Sequence, residues 1–297
     1  MRNSIYILLA GGLWGIISIF IKILNSLGFD SLQCVAIRAL LSAIILFIYL
    51  FIKDRKKLRI ALKDIIYFLG TGICSIVFFN YCYFESIELI GGAAIPALLL
   101  YTAPIFVIVL SAIFFKEKIT FRKILALIIT FIGLGFVTDA FTGGEKMPIL
   151  AFLLGLGSGL GYALYSIFGK LIVHKYDALT ITFYTFVVAA ICVVPMSGIT
   201  NNIDLIFNKD GILAAVGLAF FSTVLPFLFY TKGLQKVEAG KASILATIEP
   251  FVATIVGLLL FQEKFTLVKI IGMAMILFAI IYLNLENIDR SNSSNKK

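Results

Sequence analysis

The sequence predicts an all-α polytopic membrane protein of ten transmembrane helices, arranged as two inverted five-helix repeats. Three observations predict it. Hydrophobic residues make up 61% of the 297 and charged residues only 14%, too little polar surface for a soluble chain of this length. Ten apolar stretches approach the roughly 20 residues that a membrane-spanning helix needs. A phrase also occurs twice: Pro104 to Thr120 reads PIFVIVLSAIFFKEKIT and Pro250 to Thr266 reads PFVATIVGLLLFQEKFT, offset by 146. A repeat of half the chain points to a doubled unit. If that unit crosses the membrane an odd number of times, its copy must be inverted.

The stretches run roughly over 4–24, 33–52, 65–84, 91–115 and 122–138, then 149–169, 179–197, 211–231, 240–261 and 267–284. The first follows Arg2 and lacks a small-x-small cleavage site, so it reads as a retained helix and not a removed leader. The second follows Asp30 and carries Arg38, and the third ends in a polar segment with Asn80, Tyr81 and Tyr83. The fourth and ninth hold the repeated phrase, and the fifth opens on basic residues, Arg122 and Lys123. In the sixth, Gly155, Gly157, Gly159 and Gly161 alternate, a spacing that suits close helix packing and no phosphate loop. The seventh follows Asp177, which matches Asp30 at an offset of 147, and the eighth carries Pro226. Runs this long exclude a barrel, whose strands would alternate over about 10 residues. The first repeat is assigned to 1–140, the second to 146–286, and the polar segment 287–297 reads as a disordered cytoplasmic tail.

Charge predicts the orientation. With the first residue in the cytoplasm, 19 of the 25 Lys and Arg fall on the inside; Lys146, Lys209, Lys264 and Lys269 fall outside, and Lys22 and Arg38 lie within spans. The positive-inside rule then places both termini in the cytoplasm of a cell-membrane protein. The first KEKITFRK loop is inside with four basic residues, while its counterpart QEKFTLVK is outside and has lost two, as inversion requires. Ser18, Phe20 and Lys22 match Ser166, Phe168 and Lys170, which extends the repeat to all five helices. Inverted repeats are a recurrent architecture of secondary transporters. The net charge of +9 is spread over separate loops, which fits anionic lipid contact and not a nucleic-acid partner.

Metal and nucleotide chemistry find no support. Cys34, Cys74, Cys82 and Cys192 show no metal spacing, and His174 is the only histidine. No G-x-x-x-x-G-K-[ST] sequence is present, so no P-loop of the chain's own hydrolyses ATP. No cofactor or metal is expected.

Gly12 to Lys22, GLWGIISIFIK, resembles the opening of EamA-type members of the drug/metabolite transporter superfamily. So does Arg38 early in the second helix, and so do Pro104 and Pro250 leading to Glu117 and Glu263. The likeness spans about residues 4–284 and departs at Lys116 and Gln262, where the family often has a small residue before the acidic one. The resemblance implies a ten-helix carrier of small organic solutes, often an exporter of amino acids or related metabolites, with the first, fourth, sixth and ninth helices around the cavity.

Depth selects candidates. Glu249 is about nine residues into its helix, roughly 13 Å at 1.5 Å per residue, near the centre of a core about 30 Å thick. An ionisable residue there is a functional candidate, to bind an ammonium group or to carry a coupling proton; the alternative is a neutralised Glu that ties helices together. Pro250 and Pro104 lack an N–H and free the carbonyls of Ala246 and Leu100; with Pro226 they also mark helix bends. Trp14, Tyr101, Tyr162, Tyr165 and Thr247 fall at similar depth and, with the resemblance, make a cavity with aromatic walls for an amphipathic solute or a cation. Arg38 has two readings: it snorkels to the headgroups, or it faces inward to meet a substrate carboxylate or Glu85. For Lys22 and Lys170 snorkelling is expected.

The expected function is therefore alternating-access transport of a small-molecule substrate, with a midplane site and no enzyme activity, by a monomer or homodimer. The alternative is an embedded enzyme or lipid-handling protein that uses Glu249 as acid or base. A passive channel would instead show flux without saturation.

Overall fold

The computed structural model describes residues 2–141, 148–262 and 266–294. Glu263, Lys264 and Lys146, which figure in the reading of the second repeat, lie outside them. The first repeat comprises α1 (Asn3–Ser26), α2 (Ser31–Lys53), α3 (Leu62–Ile90), α4 (Ala94–Phe115) and α5 (Phe121–Val137). The second comprises α6 (Ile149–Ile172), α7 (Ala178–Ser197), α8 (Lys209–Leu234), α9 (Ala239–Phe261) and α10 (Leu267–Ser294). No strand occurs among the described residues. Nine of the ten are long and apolar enough to cross a membrane, and α5, at 17 residues, sits at the short end of the spanning range. Helix α10 continues past its apolar stretch, Leu267–Asn284, to Ser294, into the segment read from sequence as a tail. Large apolar side chains such as Ile52, Ile113 and Leu259 are exposed on the outside of the bundle, a surface suited to lipid.

The matched aspartates are helix caps. Asp30 accepts from the Gln33 N–H at 2.8 Å and Asp177 from the Thr180 N–H at 2.9 Å, each satisfying a backbone donor orphaned at the start of α2 or α7. The ends of α4 and α9 also correspond. Lys116 and Gln262, 146 residues apart, have φ of 55° and 54°, the left-handed conformation that glycine adopts without a Cβ clash. A helix end in this conformation is the physical reason a small residue suits the position.

Packing has a pseudo-twofold pattern. Helix α1 packs on α8 and α9 as α6 packs on α3 and α4, while α2 pairs with α7 and α5 with α10. Side chains repeat the pattern. A Cβ on Gly70 of α3 would lie 2.5 Å from the Phe168 ring of α6, and one on Gly217 of α8 would lie 2.3 Å from the Phe20 ring of α1. Likewise a Cβ on Gly11 would meet the Ala246 carbonyl oxygen at 2.7 Å, and one on Gly159 the Leu100 carbonyl oxygen at 3.1 Å. The carbonyls freed by the two prolines thus lie against glycines of the opposite repeat. The predicted close packing of the α6 glycines is present, with Gly155 against Leu99, Gly159 against Thr102 and Gly161 against Phe79.

Helix interruptions repeat as well. Helix α4 breaks at Tyr101 and Thr102 and α9 at Thr247, just before the two prolines. Wide π-turns occupy Gly70–Val77 in α3 and Phe220–Val224 in α8, the latter immediately ahead of Pro226. Helix α1 breaks at Ile16 while α6 runs unbroken from Ile149 to Ile172. Pro195 sits inside α7 and was not anticipated as a bend.

Candidate functional site

A cavity of about 470 Å³ lies between the repeats, lined by residues of α1, α2, α3, α4, α6, α8 and α9. Its volume falls in the range of small-molecule sites. Six of the seven candidate site residues come together on its wall: Trp14, Arg38, Tyr101, Tyr162, Tyr165 and Glu249. Thr247 does not. It is buried, and its hydroxyl donates to the Ile244 carbonyl at 2.6 Å, closing the helix break one residue past Ala246. A hydroxyl beside a broken helix turn finds a local acceptor before it reaches a cavity.

The polar groups are few and deep. The Tyr162 hydroxyl donates to the Glu249 carboxylate at 3.3 Å. Arg38 is 6% exposed and lines the cavity, and its Nε has no hydrogen-bond partner. The inward reading of Arg38 therefore holds over snorkelling, and no ion pair to Glu85 forms among the described residues. Arg38 and Glu249 line the same cavity without joining in an ion pair among those residues. The wall thus offers a buried cation and a half-buried carboxylate in one chamber. The Trp14 ring packs edge-on against Tyr162 at 6.0 Å and against Phe227 at 5.2 Å.

The cavity runs from Glu249 toward the face where α1 ends and α2 begins, where Lys22, Asn25 and Ser31 line it. Lys22 is exposed at the rim and borders the cavity, with its ammonium 3.4 Å from the Phe261 ring centroid. At the other end, the face where the chain begins, the floor is bonded shut. Tyr165 pairs with Thr231 at 2.6 Å and Ser166 with Tyr230 at 2.7 Å. Lys170, expected to snorkel, donates instead to the carbonyls of Leu234 and Val237 at 2.6 and 2.7 Å. Below them Glu117 accepts from the N–H groups of Ala239 and Gly240 at 2.7 and 3.1 Å, and Lys123 meets Glu238 at 2.7 Å. Glu117 thus caps the positive end of α9. Tyr230 and Phe227 were missed from sequence; matching Tyr230 to Tyr83 at an offset of 147 would have found the first. Among the described residues no group of His, Cys, Asp or Glu is placed to hold a metal.

The chain matches the EamA-like transporter family over residues 1–138 and again over 149–285, two copies that coincide with the two sets of five helices. The chain belongs to the EamA-like transporter family. An uncharacterized transporter of Archaeoglobus fulgidus is 29% identical over 288 residues, covering 94% of this chain and 98% of the relative. A second from the same organism is 34% identical over 63% of this chain and 66% of its own length. The Bacillus subtilis uncharacterized transporter YyaM is 26% identical over 73% of this chain and 72% of its own. A solved crystal structure superposes with a TM-score of 0.78 at 15% identity, covering 96% of both chains, and shows the same fold. This EamA-family chain is accordingly a multi-pass membrane protein and a transporter.

Proposed function

We propose that this transporter is a secondary carrier that exports small zwitterionic or amphipathic solutes, amino acids or related metabolites, across the cytoplasmic membrane by alternating access. The observation that carries the reading is the chamber in which Arg38 and Glu249 face a common space walled by Trp14, Tyr101, Tyr162 and Tyr165. A guanidinium suits a carboxylate, a carboxylate suits an ammonium, and aromatic faces suit both a cation and apolar surface. The open face would be the outside, and the bonded floor with both termini would be cytoplasmic, in keeping with the Lys and Arg distribution. Without a P-loop, transport would draw on an ion gradient, exchange or downhill flow.

The test is flux from reconstituted liposomes loaded with labelled amino acids, with and without a pH gradient. Saturable flux with counterflow is expected. Flux that rises linearly with concentration would indicate a passive channel, and no flux across a broad panel of zwitterionic solutes would overturn the substrate class.

A further inference from the structure

The repeats match residue for residue, yet their contacts differ at the two ends of the cavity. In α1 and α6 the pairs Ile17/Tyr165, Ser18/Ser166 and Lys22/Lys170 stand 148 apart. In α3 and α8 the pairs Tyr83/Tyr230, Phe84/Thr231, Ile87/Leu234 and Ile90/Val237 stand 147 apart, in line with Gly70/Gly217, Ser75/Ser222 and Val77/Val224. The register is anchored in space by the two ring-on-glycine joints, Phe168 on Gly70 and Phe20 on Gly217.

On the floor, α6 is fastened to α8 by Tyr165–Thr231, Ser166–Tyr230 and Lys170 on the Leu234 and Val237 carbonyls. The equivalents on the open side, Ile17, Ser18, Lys22, Tyr83 and Phe84, all line the cavity. Among the described residues Ser18 and Tyr83 share no hydrogen bond. One half of the molecule therefore displays, closed, the set of contacts that the other half displays open.

We infer that Ser18, Lys22 and Tyr83 are the outer gate of this transporter, and that it closes by copying the floor. When the cavity shuts on the open side, Ser18 hydrogen-bonds Tyr83, Ile17 packs on Phe84, and the Lys22 ammonium caps the carbonyls of Ile87 and Ile90 at the end of α3. The Ser166–Tyr230 bond and the Lys170 caps then release. The ring-on-glycine joints obey the symmetry already and persist in both states as the pivots. A lysine is suited to both situations, because its ammonium binds free carbonyls at a helix C-terminus and its long stem lets it withdraw along an aromatic ring. The inference rests on the alternating-access reading and adds to it the residues that make and break.

Two symmetry-related reporters test it. Ala97 lines the open cavity, while its equivalent 146 residues on, Ser243, is buried. With Cys34, Cys74, Cys82 and Cys192 replaced by alanine, Ala97→Cys and Ser243→Cys are placed in separate purified proteins and their rates of maleimide modification measured. Lys170→Met should speed modification at 243 and slow it at 97; Lys22→Met should do the reverse, each by about tenfold, the factor for losing a charge-assisted hydrogen bond from one of two states. Should Lys170→Met fail to fold, Ser166→Ala should move the reporters the same way by a smaller factor. In a separate set, Tyr83→Phe, which removes only the hydroxyl that bonds Ser18 in the closed gate, should slow modification at 243 and speed it at 97. Reporters that move together, or a Tyr83→Phe variant that leaves them unmoved while Tyr230→Phe moves them, would overturn the gate. Absence of flux with reciprocal reporters would sink the carrier reading alone, and flux without reciprocity would sink this inference alone.

Discussion

Tyr162 holds Glu249 by a 3.3 Å hydrogen bond, and both side chains belong to the second repeat. The repeat equivalents of the pair are Trp14 and Ala103, neither of which can reproduce the bond. The chamber is therefore chemically one-sided even though the scaffold around it is nearly symmetric. Under the alternating-access proposal, scaffold symmetry would allow two states of similar energy, and the carboxylate would give them a fixed site to expose in turn.

Replacing that carboxylate by its amide separates charge from shape. Glu249→Gln keeps an acceptor for Tyr162 and the volume of the side chain. Flux of zwitterionic solutes should fall on the order of tenfold, the factor that about 1.4 kcal/mol of lost contact produces, while the melting temperature in detergent stays level or rises. Tyr162→Phe should cost less flux than Glu249→Gln. Unchanged saturable flux in Glu249→Gln would remove the residue from the mechanism.

Arg38 makes the opposite prediction for stability. A buried guanidinium with an unpaired Nε is expensive to keep, and apolar replacement of buried charge is often neutral or stabilising by about 1–4 kcal/mol. Arg38→Met should therefore raise the melting temperature and abolish flux of solutes that carry a carboxylate. Amines without a carboxylate should retain flux. Loss of stability in Arg38→Met would mean that the residue serves the fold.

Glycine substitutions in α1 should diverge sharply despite adjacency. A Cβ on Gly11 would sit 2.6 Å from the Ile248 side chain and 2.7 Å from the Ala246 carbonyl oxygen, whereas one on Gly12 meets nothing within 4 Å. Gly11→Ala should destabilise by about 1–3 kcal/mol, the usual cost of overpacking. Gly12→Ala should be neutral or stabilising by up to about 1 kcal/mol, because alanine restricts the unfolded chain. Paired denaturation curves decide between these outcomes.

The fold was almost wholly legible because its signals are local: apolar runs of spanning length, a repeat offset, and prolines that sit beside the observed breaks in α4 and α9. The site was legible in part. Glu249, Arg38 and four aromatics were found because depth along a helix follows from counting residues. Depth alone does not tell which way a side chain turns, and so Thr247 was placed in the cavity when it bonds Ile244. Lys170 was read as snorkelling for the same reason: a lysine near a helix end looks alike from sequence whether it meets headgroups or another helix's carbonyls. The cap made by Glu117 joins residues more than 120 positions apart, a distance that no spacing rule covers.

The loop joining α2 to α3 is pinned to the start of α7 by a pair that should respond to acid. Lys57 meets Asp177 at 2.5 Å. Burial alone would raise the Asp177 carboxyl, but the hydrogen bonds from Lys57 and Thr180 outweigh it and hold the group below the ordinary carboxylate range. The Lys57 ammonium is held above its ordinary value by the same bond. A depressed carboxylate contributes stability above its unfolded pKa, about 3.9, and loses it as pH falls; a raised lysine loses its share only above about 10.4. The pair is about a third exposed, so its worth is under about 1 kcal/mol. Asp177→Asn, which keeps a capping side chain, should melt about 1–2 °C lower at pH 7, with the gap closing as the buffer approaches pH 3.

Glycine at the ends of α4 and α9 should stabilise the protein. Lys116 and Gln262 hold the left-handed conformation at φ of 55° and 54°, which costs a residue with a Cβ about 1–2 kcal/mol. Glycine removes that cost and gives back about 0.5–1 kcal/mol in unfolded-state entropy, leaving a net gain of about 0.5–1 kcal/mol at each end. The two sites are at opposite faces of the bundle, so Lys116→Gly and Gln262→Gly should add. Lys118→Gly supplies the contrast, because Lys118 is not among the residues with positive φ and glycine there brings only the entropic cost. Melting temperatures of the three variants and the double variant in one detergent measure all four terms. A double variant no more stable than the parent would mean that the left-handed turns are not strained.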